Sequence, residues 1–303
     1  MNIKKIKNGL TQIKLPIPRG GFESFINSWL IEDSARQQTL LIETGPASAV
    51  PGLISDLKAI GCEKINYLIY THIHLDHSGG AGQFCSIYGE AKVVAPLKGR
   101  IHLVSPERLV AGSRNALGDL CDVYGMPLPL SAESFLDDRK QVEGLDIVDT
   151  PGHAPHHNSY IYELDSERIL FAGEAAGCCF ELDDGELFMR PATPHKFFYD
   201  QALSSLNKLR DLQDISMICF PHSGCYKNVQ MLLDMAAKQL RLWREITLSL
   251  PDSTSAEDFI VLANERDPMM KLLKKLPESV RRRENFFLRQ SANGYLGARG
   301  QFS

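Results

Sequence analysis

Apolar residues recur in two rhythms along the first 225 or so residues of the chain. Short apolar or alternating runs predict strands at residues 10–17, 24–32, 39–42, 65–70, 92–95, 145–150, 160–164, 168–172 and 215–220. Between them, apolar residues at helical spacing predict helices at residues 51–60, 79–85, 105–120 and 198–212. This alternation of strands and helices is typical of an α/β protein.

The pattern changes after about residue 226. Residues 228–250, 255–266, 269–276 and 278–291 all have helical spacing, and no strand pattern follows. We therefore expect an α/β core at residues 1–226 and a helical extension at residues 227–303. The extension is a candidate lid or a surface for a homodimer.

Composition narrows the class of protein. Of 303 residues, 44% are hydrophobic and 23% are charged, as in an ordinary globular protein. The net charge of −4 argues against a nucleic-acid partner and leaves a small-molecule substrate as the expectation. No apolar run approaches the ~20 residues that span a bilayer. Polar residues interrupt the segment after the basic N-terminus, so no signal peptide is expected and the predicted location is the cytoplasm.

The seven cysteines are scattered and form no Cys-x-x-Cys pair. This spacing indicates neither a disulfide framework nor a cysteine zinc site. Any metal must therefore be held by histidine and carboxylate.

Three of the nine histidines lie within six residues, at His72, His74 and His77, with Asp76 between them. In extended backbone, His72 and His74 project to the same side and can grip one metal. More ligand-type residues follow later predicted strands, at His153, Glu174 and His222. In an open α/β sheet the crevice for a ligand forms at this edge.

A metal explains the histidine cluster better than ordinary burial does. Three imidazoles and a carboxylate on one turn would be costly to bury without a metal or a hydrogen-bond network. Imidazole and carboxylate suit divalent first-row metals, and two such metals about 3.5–4 Å apart can share a hydroxide. By contrast, isolated His102 and His195 are predicted to be ordinary interior or surface residues.

The cluster His72-Ile73-His74-Leu75-Asp76-His77 resembles the signature of the metallo-β-lactamase superfamily. Later segments follow in that superfamily's order: Thr150-Pro151-Gly152-His153, Phe171-Ala172-Gly173-Glu174 and Pro221-His222-Ser223-Gly224. The likeness covers about residues 10–225 and narrows to a prokaryotic subgroup whose metal motif is similar to that of glyoxalase II. It implies an αββα sandwich, here with a C-terminal helical extension.

The resemblance also implies roles for individual residues. The ligands of a first metal would be His72, His74 and His153. Those of a second metal would be Asp76, His77 and His222. Glu174 would bridge the two metals, although the superfamily usually has Asp there. Zinc is the expected metal, with iron and manganese as alternatives. Glu43 is expected to stabilise a turn and not to bind metal.

The predicted reaction is hydrolysis of a small ester, thioester, lactone or phosphoester by a hydroxide that bridges the metals, with Asp76 orienting it. Alternatives are a metal-dependent oxidoreductase such as a sulfur dioxygenase, a flavin-partnered O₂ reductase, an RNA nuclease and a non-catalytic metal-binding effector. Diiron reductases of this fold carry Glu at the position of His74. Sulfur dioxygenases lose second-metal ligands, which are all kept here. The negative net charge of the chain argues against the RNA nuclease.

Weaker candidates for substrate contact are Arg190, Tyr226 and Cys225. Arg190 could equally form a surface salt bridge. A functional role for His156 or His157 is left open, and cysteines near the site are expected to be packing residues. The basic residues are expected to form a solvated helix face: Lys271, Lys274, Lys275, Arg281, Arg282 and Arg283.

Overall fold

The computed structural model describes residues 2–137 and 141–302. The strands are β1 Ile3–Lys7, β2 Leu10–Leu15, β3 Ile26–Asp33, β4 Gln38–Ile42, β5 Tyr67–Ile69, β6 Lys92–Val94, β7 Leu145–Asp149, β8 Asn158–Leu164, β9 Glu167–Phe171, β10 Cys178–Glu181, β11 Leu187–Arg190, β12 Ile215–Cys219 and β13 Cys225–Tyr226. The α-helices are α1 Val50–Ala59, α2 Leu75–Ser78, α3 Ala81–Cys85, α4 Arg100–Val104, α5 Glu107–Leu117, α6 Leu120–Tyr124, α7 Tyr199–Arg210, α8 Val229–Ser249, α9 Ala256–Arg266 and α10 Glu278–Ala298. Short 3-10 helices are found at Ala47–Ala49, Leu97–Gly99, Ala132–Ser134, Pro268–Lys275 and Arg299–Gln301.

The chain divides into two compact units. The first contains Met1–Ile147 and Tyr160–Ser166, and the second contains Val148–Ser159 and Glu167–Ser303. The second unit thus combines later strands with the C-terminal helices. The boundary expected after residue 226 marks a change of secondary structure, and as a domain boundary it stays a prediction.

The first unit is built on a six-stranded sheet in the order β1-β2-β3-β4-β5-β6. The β1, β2, β3 and β4 strands pair antiparallel, whereas β4, β5 and β6 pair parallel. The side chains of Leu41, Leu68 and Ile69 are fully buried, as expected for central parallel strands. Because β4 and β5 run in the same direction, the residues that follow both strands meet at one edge of the sheet.

Helix α1 packs on β2 through apolar residues at helical spacing. Its buried residues are Val50, Leu53, Ile54 and Leu57. The helix ends before Gly61, whose φ of +75° suits a residue without a side chain. The backbone N–H of Gly61 donates to the carbonyl of Lys58 over 3.0 Å and satisfies an end of the helix.

In the second unit, β12 pairs parallel with β9 and antiparallel with β13. The pairing of Phe171 with Cys219 brings the ends of β9 and β12 to the same edge. A separate hairpin joins β10 to β11. The sequence analysis did not predict this hairpin, because its strands are only four residues long and mix cysteine, charge and apolar side chains.

The C-terminal helices belong to the second unit, where α8 contacts α7, β11 and β12. Trp243 of α8 packs against Phe259 and Tyr295, with ring centroids 5.2 and 5.6 Å away. The stretch expected as a helix at residues 269–276 is a 3-10 helix that begins with Pro268. The last helix continues to Ala298. The sequence pattern predicts an end at residue 291, because the buried face beyond that point consists mainly of small residues. No helix in residues 2–137 and 141–302 is long and apolar enough to cross a membrane.

Asp267 is a buried acceptor that joins two of these helices. Its Oδ2 accepts hydrogen bonds from Gln239 Nε2 and Trp243 Nε1, both over 2.8 Å. Its Oδ1 accepts the N–H of Met269 over 2.9 Å and caps the 3-10 helix. One carboxylate therefore satisfies buried donors of α8 and fixes the end of α9.

We expect Asp267→Ala to lower the free energy of unfolding by about 3 kcal/mol, because it leaves buried donors without their acceptor. The measurement is urea unfolding followed by circular dichroism. Glu265→Ala, which removes an exposed carboxylate from the same helix, is the matched control and should change stability by less than about 0.5 kcal/mol. Equal effects of the two substitutions would contradict the role of Asp267.

Candidate metal centre

The histidine motif forms a turn at the end of β5 in the first unit. The carbonyl of His77 accepts the N–H groups of Thr44 and Gly45, over 3.1 and 3.0 Å, from the turn that follows β4. Gly80 continues the contact, with its N–H 2.9 Å from the Gly45 carbonyl. A Cβ at Gly80 would lie 2.4 Å from Val50, so only glycine fits this approach. The motif is therefore anchored to the neighbouring strand end.

His72 and His74 face each other as the spacing predicts. His72 Nε2 lies 3.0 Å from His74 Nδ1, and the His72 side chain is buried. Zinc–nitrogen bonds of about 2.0–2.1 Å in a tetrahedral site place two ligand nitrogens roughly 3.3 Å apart. The two rings thus have nearly the separation that a shared metal requires.

A relay of hydrogen bonds fixes the proton on His72. Thr71 Oγ1 lies 2.6 Å from Glu43 Oε1, and an ionised carboxylate can only accept, so the hydroxyl donates. The same hydroxyl lies 3.0 Å from His72 Nδ1 and must accept the ring hydrogen there. Nδ1 therefore carries the hydrogen, and Nε2 faces His74 Nδ1, the orientation that a shared metal would require.

Glu43 sits on a strained backbone at the end of β4. Its φ is +64°, unusual for a residue with a side chain, and its Oε1 also accepts the N–H of Thr71 over 3.1 Å. His77 Nδ1 lies 3.6 Å from the same oxygen, and His77 Nε2 lies 3.7 Å from Asp76 Oδ2. The buried His77 ring is thus flanked by two carboxylates, of which Asp76 is the more exposed.

In the second unit, the carboxylate of Glu174 faces two imidazoles. Its Oε2 lies 2.8 Å from His153 Nε2, and its Oε1 lies 3.6 Å from His222 Nε2. Glu174 and His222 each come three residues after a strand, and the strands β9 and β12 are parallel neighbours. All three side chains are buried. The two oxygens of one carboxylate therefore face two different imidazoles.

The His153 ring is held from its other side. His153 Nδ1 lies 2.8 Å from the carbonyl oxygen of Ala192, which can only accept a hydrogen bond. Nδ1 therefore carries a hydrogen, and Nε2 faces Glu174. A histidine that binds a metal is commonly oriented in this way by a carbonyl or a carboxylate.

His157, whose role was left open, holds the backbone of Glu174. The N–H of Glu174 donates to His157 Nε2 over 3.1 Å, and His157 Nδ1 lies 2.8 Å from Thr150 Oγ1. The chain turns at Pro155, and the His157 N–H donates to the Ala154 carbonyl. The His157 ring is therefore buried just before β8. In the sequence, only the closeness of the polar residues Thr150 and His157 to predicted strands indicated this contact.

The weaker candidates lie in hairpins of the second unit. Tyr226 and Cys225 form β13 and are half-buried, and the Tyr226 hydroxyl donates to the Cys179 carbonyl over 3.3 Å. Burial raises the pKa of the Cys178 thiol, and it raises the pKa of Cys179 to about 12. Such thiols are unreactive, which agrees with a packing role. Substrate contact by Tyr226 and Cys225 stays a prediction.

Two arginines that were expected at the surface are buried. Arg190 is buried, with Nε 2.5 Å from Glu284 Oε2, so its salt bridge is internal and not at the surface. Arg283, expected on a solvated face, is buried with Nε 2.7 Å from Glu284 Oε1. Burial raises the pKa of Glu284, but the two arginines outweigh this effect and hold it below its usual value. The sequence shows the charges but not that they share one carboxylate.

A sequence profile of the metallo-β-lactamase superfamily matches residues 21–222, which include all seven predicted metal ligands. The chain therefore belongs to the metallo-β-lactamase superfamily, whose members include metal-dependent hydrolases. The predicted resemblance and the fold class, with its C-terminal helical region, are confirmed.

Individual relatives agree with this assignment. A metallo-β-lactamase fold-containing protein of Sulfurisphaera tokodaii is 28% identical over 227 residues, which are 70% of this chain and 78% of that protein. A hydroxyacylglutathione hydrolase of Rhodopseudomonas palustris is 30% identical over 217 residues, 70% of each chain. A metallo-β-lactamase family protein of Thermus thermophilus aligns with a TM-score of 0.66 and 21% identity, over 98% of this chain and 95% of its own. This last likeness shows the fold alone.

We expect Thr71→Val to lower the free energy of unfolding by about 1–3 kcal/mol, because it removes a buried donor to Glu43 and the acceptor for His72. Urea unfolding of the metal-free protein measures the change. Thr71→Ser keeps the hydroxyl and should keep most of the stability. A Thr71→Val protein as stable as the wild type would contradict the role of the hydroxyl relay.

Proposed function

We propose that the chain is a dinuclear metal-dependent hydrolase. One metal would be bound by His72, His74 and His153. The other would be bound by Asp76, His77 and His222. Glu174 would contact both metals. The observation that carries this proposal is the Glu174 carboxylate, one oxygen of which faces His153 while the other faces His222. Each imidazole belongs to a different ligand set, as a bridging carboxylate requires.

The donor chemistry fits divalent first-row metals. Each proposed set combines imidazole nitrogens with a carboxylate, a mixture that zinc accepts readily and that iron and manganese also tolerate. The carbonyl of Ala192 accepts a hydrogen bond from Nδ1 of His153, and the hydroxyl of Thr71 accepts one from Nδ1 of His72. Bound metals would make water acidic enough to act as a nucleophile near neutral pH and would stabilise the oxyanion that develops.

The side chains of this chain supply the rest of the chemistry. Asp76 orients the attacking water by accepting its hydrogen bond, as the more exposed of the two carboxylates beside His77. His157 and Glu43 keep the neighbouring backbone rigid. The reaction needs no serine or cysteine nucleophile, in agreement with the burial of Cys178 and Cys179.

Thioesters of small organic acids are the first substrate class to test. Relatives at 27–30% identity are hydroxyacylglutathione hydrolases, by name enzymes that hydrolyse an acylated glutathione. Esters, lactones and phosphoesters are the alternatives, because identity at this level does not define a substrate. We place the reaction in the cytoplasm, with a small-molecule substrate and no nucleic acid.

Hydrolysis is tested with purified protein that has been stripped of metal and reloaded with zinc, manganese or iron. We expect turnover of at least one of these ester classes, thioesters first, and a fall in kcat/KM of about 10²–10⁴-fold in Asp76→Asn. Asp183→Asn, at an exposed position between β10 and β11, is the matched control and should leave the rate unchanged. Absence of turnover in every metal form, or equal rates in Asp76→Asn, would contradict the proposal.

The length of Glu174 gives a separate prediction. Glu174→Asp withdraws the carboxylate by roughly 1.5 Å, one carbon–carbon bond, from a backbone that His157 holds in place. We expect the affinity for one of two zinc ions to fall by about 10–100-fold, the usual cost of disturbing a metal's surroundings. Competition with a chromophoric chelator measures it. An unchanged or higher affinity would contradict the requirement for the longer side chain at this position.

A further inference from the structure

Helix α10 is bonded to the segment at residues 190–194, which follows β11. Ser291 Oγ donates to the Pro191 carbonyl over 3.1 Å, and Thr193 Oγ1 donates to the Ser291 carbonyl over the same distance. The N–H of Thr193 also points to Ser291 Oγ, 3.5 Å away. One serine in the helix therefore engages the segment on both sides of Ala192.

Gly294, one turn further along α10, allows the two backbones to touch. A Cβ at this position would lie 2.5 Å from the Pro194 carbonyl oxygen and 3.0 Å from that of Thr193. Both obstacles are backbone atoms, which cannot rotate away as a side chain can. Glycine is a poorer helix former than alanine, so its use here reflects the close approach.

A buried ion pair ties the beginning of the segment to the same helix. Arg190 Nε lies 2.5 Å from Glu284 Oε2, and the guanidinium also stacks over the Phe287 ring at 5.0 Å. A buried pair of this kind is weak evidence for stability, because removing charges from water is costly. Its geometry nevertheless fixes the position of the segment relative to α10.

The opposite side of the segment contacts His153. The Ala192 carbonyl accepts the Nδ1–H of His153 over 2.8 Å and so directs Nε2 towards Glu174. Only one residue of the segment, Ala192, lies between the bonds of Pro191 and Thr193 to α10. The helix is thus connected through a few backbone atoms to an imidazole that we assign as a metal ligand.

We propose that α10 positions His153 for metal binding by holding the 190–194 segment, and that this is a function of the C-terminal helices. The proposal rests on the proposed function in one respect, that His153 is a metal ligand. Gly294, Ser291 and Glu284 are positioning residues and not catalytic ones, since they act through Ala192. Loss of such an outer contact typically weakens metal binding by about 10–100-fold.

The test compares Gly294→Ala with Gly297→Ala in the full chain. Both add one methyl group to α10, three residues apart, but a Cβ at Gly297 meets its nearest atom, the His195 carbonyl oxygen, at an ordinary 3.6 Å. Each protein is stripped of metal and titrated with zinc against a chromophoric chelator, and its circular dichroism is recorded. We expect Gly294→Ala to weaken one of the two zinc constants by about 10–100-fold, and Gly297→Ala to leave both within about twofold.

Ser291→Ala is a second variant that distinguishes loss of positioning from misfolding of Gly294→Ala. It removes the hydroxyl contacts without adding an atom, and we expect the same zinc constant to weaken by about tenfold in a protein with native circular dichroism. Wild-type constants in folded Gly294→Ala and Ser291→Ala would overturn the role of α10.

A second readout separates this inference from the proposed function. In metal-free wild type, ¹⁵N NMR should show a slowly exchanging hydrogen on Nδ1 of the His153 ring, and in Gly294→Ala a faster-exchanging one, because the Ala192 acceptor is displaced. If wild type takes up no zinc but the two proteins differ in this exchange rate, metal binding is contradicted and the positioning role is retained. Equal exchange rates in the two proteins would contradict the positioning role itself.

Discussion

The central constraint on this protein is the burial of the Glu174 carboxylate between two imidazoles. A charged carboxylate away from water is costly unless opposite charge or hydrogen bonds compensate it. His153 and His222 present nitrogen atoms to its two oxygens, and the Glu174 N–H is itself held by His157. The two metal ions that we propose would offset this cost. Much of the surrounding structure keeps these three side chains in place.

A histidine that binds a metal is commonly oriented by an acceptor at its other nitrogen, and acceptors of two kinds face Nδ1 of His72 and His153. In the first unit, the Thr71 hydroxyl donates a hydrogen bond to Glu43 and accepts one from His72 Nδ1. In the second, the Ala192 carbonyl accepts from His153, and helix α10 holds that carbonyl in position. The Ala192 carbonyl is an acceptor that does not titrate, whereas the orientation of the Thr71 hydroxyl depends on the Glu43 carboxylate. If His153 binds a metal as we propose, the helical extension would thereby contribute to metal binding.

The sequence was most informative where the chemistry is local. Parallel strands that end in ligand-type residues predicted which edges of the sheets carry His72, Glu174 and His222, and the helical spacing after residue 226 predicted α8 and α9 nearly to the residue. Contacts between distant residues were not predictable. Arg190 meets Glu284 across 94 positions, and no pattern in either segment indicates that both are buried.

Short or irregular elements were also missed for physical reasons. The hairpin of β10 and β11 has too few residues to show an alternating pattern, and the small residues of α10 after Ser291 resemble a loop although they pack tightly. His157 could not be assigned because its partner is a backbone N–H, which every residue except proline possesses.

The most direct test of the central claim is anomalous diffraction at the zinc edge from crystals of the zinc-loaded protein. We expect two anomalous peaks per chain, one beside His153 and one beside His222, with an oxygen of Glu174 bound to each. A single peak, or two peaks of which only one contacts Glu174, would contradict it.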